Sequence, residues 1–313
     1  MAANARRQMN PPPAETLAVR KHILPYALIA PVFAYYVVFW LQPVLASAIG
    51  SFQDLEGRAT LSHYVTVFAD EYFRRAVFNT FFIVAVSVTV EFLLSFGLAL
   101  LINTRFRGAG LLLAVALVPM ALPAVAVGAM WSSGLATYGW LNGLLCHAGL
   151  VAAQDKIAFL AGGRYASMLL IILIDAWQVI PFMMVILLAG MQNLDPTLKE
   201  AGYVFGATRW VVLRRITAPL LGPTIRTALL LRIIAAIQIW LIIVMLFGFR
   251  RVPVLLEELV FYKEVLTGPS NFKIALAYSV LVAAAVSLVA LLYLKASGVT
   301  AKRAAAREAG TPA

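Results

Sequence analysis

The sequence predicts an all-α polytopic membrane protein with six transmembrane helices. Three observations carry that expectation. Hydrophobic residues fill 62% of the 313 positions and charged residues only 12%, with a mean hydropathy of +0.89. A soluble domain of this length would need far more polar surface. Runs at 24–49, 76–102, 109–136, 166–191, 224–247 and 274–294 are apolar enough to cross a bilayer, which takes about 20 residues as a helix. One long polar segment, 195–221, separates the fourth run from the fifth. Backbone amides in lipid must pair within their own segment, so the six runs read as helices.

Residues 1–23 form a polar tail bearing Pro11-Pro12-Pro13, with no signal-peptide cleavage pattern. The membrane domain is expected over 24–295. Its first span opens near Pro25 and Pro31 and ends at Gln42-Pro43. The second contains Asn79 and Glu91, and a short basic loop at 106–110 implies a tight connection to the third. Pro119 and Pro123 are expected to bend that third span and free backbone carbonyls. A glycine-bearing loop, 137–165, leads to the fourth span, which holds Asp175, Trp177, Gln178 and Pro181. The fifth carries Arg226, Arg232, Gln238 and Trp240. A loop at 248–273 precedes the sixth span, and 296–313 is a basic tail.

The net charge is +11, but its distribution points to orientation and away from nucleic acid. With the first tail inside, the inner segments hold Arg6, Arg7, Arg20 and Lys21; Arg105 and Arg107; Lys199, Arg209, Arg214 and Arg215; and Lys295, Lys302, Arg303 and Arg307. The outer segments hold Arg58, Arg74 and Arg75; Lys156 and Arg164; and Arg250, Arg251, Lys263 and Lys273. The excess inside places both termini and the 195–221 segment in the cytoplasm of a multi-pass plasma- or inner-membrane protein. Cys146 is the sole cysteine, which excludes an internal disulfide. His22, His63 and His147 have no metal-ligand spacing.

The polar segment has its own local logic. Asp195 before Pro196 reads as an N-cap with proline in the first turn, and Glu200 favours the positive end of the short helix. Gly206 can supply a positive φ to end it. Thr208 can cap a second short helix carrying Arg209, Arg214 and Arg215, stopped by Pro219. The expectation is a helix–Gly–helix elbow outside the bilayer.

Within the spans, charges near the bilayer centre cost about 2.5–3.5 kcal/mol each and should face protein or water. Arg226 can snorkel, but Arg232 needs an acceptor, and Glu91 or Asp175 is expected to neutralise it in a helix-locking network. Asn79, Trp177, Gln178, Gln238 and Trp240 are the candidates for a solute path, since amides hydrogen-bond hydroxyls and aromatic faces stack on sugar C–H faces. No G-x-x-x-x-G-K-[ST] loop occurs, so the chain has no P-loop with which to cradle ATP phosphates.

Glu200-Ala201-Gly202, then Gly206-Ala207, Ile216, Pro219, Leu220 and Leu221 closely resemble the "EAA" loop of ABC importer permeases. Gly202 stands where that family usually has a second alanine, and Phe205 where it has an aspartate. Ala176-Trp177-Gln178-x-x-Pro181-Phe182 is similar to the family's fourth-span pattern. Leu24-Pro25-Tyr26, Gln42-Pro43, the stretch from Ser51-Phe52 to Phe68, and Ala275–Ser279 are weaker matches. The resemblance covers about 24–295 and is to carbohydrate-type permeases of the maltose, trehalose or glycerol-phosphate kind. Ala235-Ala236 and Trp240-Leu241 replace residues that are often acidic in those relatives.

The resemblance implies the type I importer permease fold, with core helices two to six and a peripheral first helix. It implies a permease subunit that is not itself an enzyme and binds no cofactor or metal. ATP and Mg would sit on two copies of a separate ABC ATPase. Glu200, Ala201, Gly202, Gly206, Ala207 and Arg209 would dock onto that ATPase as a coupling loop, 195–222. A second, non-identical permease and an extracytoplasmic substrate-binding protein complete the expected partners, beside membrane lipid. A sugar or sugar-like solute is expected. The alternatives are an ABC permease for a non-sugar solute and an ion-coupled secondary transporter with Glu91 and Asp175 as relay.

Overall fold

The computed structural model describes residues 14–297. Pro11-Pro12-Pro13 and the tail cations Arg6, Arg7, Lys302, Arg303 and Arg307 lie outside the described residues. Among those described, regular structure is helical apart from one isolated bridge between Gln53 and Ala59. Among the described residues four helices are long and apolar enough to cross a membrane, and the number rises to as many as six if each of two bent helix pairs counts as one span.

The first span is α1 (Ala14–Tyr36) and α2 (Gln42–Ser51), joined by a π-helical turn at Val37–Leu41. The Gln42 amide donates five residues back to Val37, immediately before Pro43. Such a turn widens the ladder where a proline ring would clash with the carbonyl four residues before it. No residue of 25–50 is buried, and the span meets the rest of the described chain through Gln42–Ser51, which packs along the sixth-span helix Pro269–Ala296, where Lys273 Nζ donates to the Gly50 carbonyl at 3.2 Å. The peripheral first helix is borne out.

α3 (Ser62–Ala69) leads into α4 (Glu71–Asn103), whose N-cap Asp70 accepts from the Tyr72 amide at 2.9 Å. α5 (Ala109–Leu117) and α6 (Ala124–Leu135) make the third span. The expected bend is present and large: the halves turn by 95° around Pro119 and Pro123. α7 (Trp140–His147) lies in the following loop, and α8 (Arg164–Gln192) is the fourth span.

The elbow comprises α9 (Pro196–Val204), α10 (Arg209–Val212), a π-helical turn at Leu213–Thr217 and α11 (Ala218–Leu220). α12 (Gly222–Ile237) then leaves at 67° to the preceding helix. The fifth span departs from expectation. Instead of one helix over 224–247, the chain breaks at 238–240 and resumes as α13 (Leu241–Phe247). Trp240 sits at φ −155°, ψ −43°, outside helical geometry. α14 (Leu255–Val260) packs on α4 away from the elbow, and α15 (Pro269–Ala296) is the sixth span.

α4 and α8 form the centre as a parallel pair. Arg164 bonds Asn79 and Ser95 bonds the Ile180 carbonyl, both across a separation of 85 residues. Ile83, Val127, Leu135, Ile171, Ile239 and Ile243 pack into the core half away from the elbow. Ala99, Met183, Leu187, Met191, Leu221 and Ala228 pack into the half beside it. The ends of α4, α8 and α15, and the start of α12, therefore lie on the elbow's side.

Candidate functional site

The elbow folds as its residue types dictate. Asp195 accepts from the Thr197 amide at 2.9 Å, and bonds from Thr197 hold its carboxyl below the usual aspartate range. At the other end, Gly206 takes φ +78°. Its amide donates to the Tyr203 carbonyl at 2.9 Å while the Ala207 amide donates to Gly202 at 3.0 Å. That pairing is the Schellman closure, which needs a left-handed residue at this point. Thr208 Oγ1 then accepts from the Val211 amide at 3.4 Å and starts α10.

Gly202 has a tighter role than the sequence suggested. A Cβ there would sit 2.8 Å from Ile216 Cδ1 and 3.2 Å from Val212 Cγ2. The missing side chain lets α9 lie against the second arm of the elbow. Glu200, Ala201 and Arg209 are exposed on the hook, and Ala207 is half-buried. Beside them stand apolar side chains without cover: Val204 is 84% exposed, Phe205 89% and Trp210 66%. Isolated apolar residues on a surface are ordinary, but a cluster on a polar projection marks a contact surface.

The charged trio is brought together. Arg232 on α12 reaches Glu91 on α4 through Nε and Nη2, the latter at 2.9 Å from Oε1, and Asp175 on α8 through Nη2. All three are buried. The expectation named either carboxylate as partner, and the guanidinium binds both, so three spans are tied at one point. Arg226, nearer the elbow, is half-buried. Gly190 on α8 lets α12 approach closely: a Cβ there would meet Thr224 Cγ2 at 2.7 Å. Sequence reading missed that contact, because a glycine in a helix does not announce its neighbour.

The proposed path residues separate into two groups. Asn79 is corrected. It is 1% exposed, its Nδ2 donates to the Pro253 carbonyl at 2.7 Å, and its Oδ1 accepts from Arg164 Nε at 3.0 Å and Nη2 at 2.6 Å. Three of the amide's four hydrogen-bonding positions are thus taken by the protein, which gives Asn79 a structural role between α4, α8 and the loop after α13. Gln178 Nε2 donates to the Leu122 carbonyl at 3.0 Å, satisfying backbone exposed by the break in the third span. Trp177 packs edge-on against Trp131 with centroids 5.6 Å apart. Trp240 joins the same apolar cluster at the second break. Gln238 is exposed and donates only within its own turn, to Ile234 at 3.2 Å.

A second polar cluster, beyond the spans at the end away from the elbow, was not foreseen. Arg250, at φ +64°, donates through its amide to Glu257 at 2.7 Å and through Nη2 to Glu258 at 3.0 Å and Asp70 at 3.4 Å. Its guanidinium lies 4.0 Å from the Phe261 ring centroid and 4.3 Å from that of Tyr72. Tyr262 donates to Asp70 at 2.9 Å. Burial pushes the Glu258 carboxyl up to about 7, aided by Glu257 and opposed by Arg250. The Phe249-Arg250-Arg251 run after Gly248 was the available signal.

A family model described as the binding-protein-dependent transport system inner membrane component matches residues 91–300. The chain is 31% identical over 239 residues to a trehalose/maltose transport system permease protein of Thermococcus litoralis, covering 74% of this chain and 79% of that one. It is 30% identical to a trehalose transport system permease protein of Mycobacterium tuberculosis, over 77% of this chain and 75% of that one. Its fold matches a chain of a bacterial ABC transporter involved in the import of the acidic polysaccharide alginate, with TM-score 0.79 and 24% identity over 90% of this chain and 98% of that chain. An elbow in the EAA pattern, six spans around the α4–α8 pair and these matches agree: the chain belongs to the inner membrane components of binding-protein-dependent transport systems, the permease subunits of ABC importers.

Proposed function

We propose that the chain is one permease half of an ATP-driven importer for a sugar or sugar-like solute. The observation that carries this reading is the rigid elbow with its uncovered tip at Val204 and Phe205, a shape suited to insertion into a cleft. Two copies of an ABC ATPase, holding ATP and Mg, would receive this elbow and that of a second, non-identical permease. A soluble binding protein would deliver solute to the opposite face. The elbow, the α4–α5 loop and the described chain ends share one side, which the excess of Lys and Arg assigns to the cytoplasm. The relatives named for maltose and trehalose transport support the sugar class.

Solute would pass beside the two helix breaks, where irregular backbone at membrane depth is tolerated next to a path. Trp177, Gln178, Gln238 and Trp240 remain the candidate contacts there. Glu91 and Asp175, which an ion-coupled carrier would need as a relay, both bind Arg232. The coupling is tested by Gly206→Asp in the assembled importer. A left-handed backbone costs a residue with a Cβ about 1–2 kcal/mol, enough to reshape the hook. The expected result is a normal amount in the membrane, continued ATP hydrolysis and lost uptake. Uptake at the wild-type rate would overturn the proposal.

A further inference from the structure

The ends of α4 and α8 away from the elbow carry an unusual charge arrangement. Arg74, Arg75 and Arg164 line a cavity of about 310 Å³ with Glu71 and Phe78. All three cations sit in the opening turns of long helices, where the macrodipole disfavours positive charge. Their compensation is thin. Glu71 lies 3.7 Å from Arg75 in an exposed pair, and Arg164 bonds the neutral Asn79 amide. Among the described residues no carboxylate comes within 4.0 Å of Arg74 or Arg164.

An apolar groove of about 860 Å³ runs between the same two helices. Val86, Val90 and Leu94 line it from α4, and Leu169, Leu173 and Ile180 from α8. It continues the face that holds the cavity: Phe78, Phe82, Val86, Val90 and Leu94 recur at four-residue spacing on α4. Phe78 stacks on Phe82 at 6.0 Å, and Phe82 meets Tyr165 edge-on at 6.2 Å, so aromatic rings bridge mouth and groove. From residue 78 to residue 94 a helix rises about 24 Å, the scale of a lipid tail.

We propose that this mouth and groove are a binding site for one anionic phospholipid, with its phosphate among Arg74, Arg75 and Arg164 and an acyl chain against Leu169 and Leu173. A cationic mouth at the starts of two long apolar helices, continuous with an apolar groove between them, matches that ligand in both charge and shape. The bound headgroup offsets the repulsion among the arginines and ties the α4 and α8 ends together. This goes beyond the transport reading and does not depend on which solute is carried.

The test is native mass spectrometry of the full chain in detergent, titrated with phosphatidylglycerol or phosphatidylcholine. The wild type is expected to prefer phosphatidylglycerol. Arg74→Gln with Arg75→Gln, both at exposed positions, should weaken that lipid about thirtyfold and leave Tm unchanged. Leu173→Trp, which fills the groove, should weaken both lipids. Soluble glycerol phosphate should not compete at concentrations where the lipid binds. Equal affinity for the two lipids, a double variant that keeps the preference, or full competition by glycerol phosphate overturns the site. So does a Leu173→Cys cross-link that captures a second permease chain in the assembled importer, since protein would then occupy the groove.

Discussion

Arg232 and Glu91 are 141 residues apart in sequence, yet Arg232 Nη2 lies 2.9 Å from Glu91 Oε1 in the protein interior. Asp175 meets the same nitrogen. Replacing Arg232 with leucine leaves two buried carboxylates facing each other, and breaking such a network costs about 3–5 kcal/mol. The expected outcome is a sharp fall in thermal stability of the purified protein. Adding Glu91→Gln should recover part of the loss. Independent, additive effects in that double-mutant cycle would show that the two groups do not interact.

Asn79→Ala removes the donor to Pro253 and the acceptor for Arg164. Pro253 is buried while Arg164 is exposed, so the orphaned Pro253 carbonyl carries most of the cost, about 1–3 kcal/mol. Stability should fall while the ranking of transported solutes stays as it is. A changed ranking at wild-type stability would return Asn79 to the path.

These two residues also mark what the sequence makes legible. A charge within a span requires a partner, so Arg232, Glu91 and Asp175 declare themselves by residue type. An amide does not, because asparagine looks the same whether it meets a sugar hydroxyl or a carbonyl 174 residues away. The elbow was readable because its determinants are local: Asp195, Gly206 and Thr208 each act within a few residues. The break at 238–240 was not, since Ala235–Leu241 contains neither proline nor glycine; the helix that resumes there packs against α6 and α8, contacts that no local residue type announces. The 95° turn in the third span was foreseen as a kink, but nothing in Pro119 or Pro123 fixes its angle.

Phe205 is 89% exposed at the tip of the elbow. If that ring is buried on the ATPase, Phe205→Ser forfeits about 1.5–3 kcal/mol of apolar burial. Capture of the ATPase by the permease should then weaken about 10- to 150-fold, with permease stability unchanged. Unaltered affinity in a pull-down titration would place the contact elsewhere on the hook.

Glu258 couples the far-end cluster to pH. Its carboxyl is pushed from 4.5 to about 7, first by burial and then by Glu257 and Asp70, against the pull of Arg250. Tyr262 and Tyr278 pack beside it. The folded chain holds this proton more tightly than the unfolded chain does. Its stabilising effect is therefore complete below pH 4.5 and is lost as pH rises through 7. The loss is on the order of 1–3 kcal/mol. Thermal unfolding of Glu258→Gln should show a flatter pH dependence across that interval than the wild type. An identical slope would remove Glu258 as its source.

The equal offset of the Asn79–Arg164 and Ser95–Ile180 bonds has a mechanical meaning. Fastened at two heights in the same register, α4 and α8 cannot slide past one another and behave as a single strut. A push arriving at the hook can tilt that strut as a unit. Arg232 fastens α12 to the same strut through Glu91 and Asp175, so the strut and α12 are held together at one height.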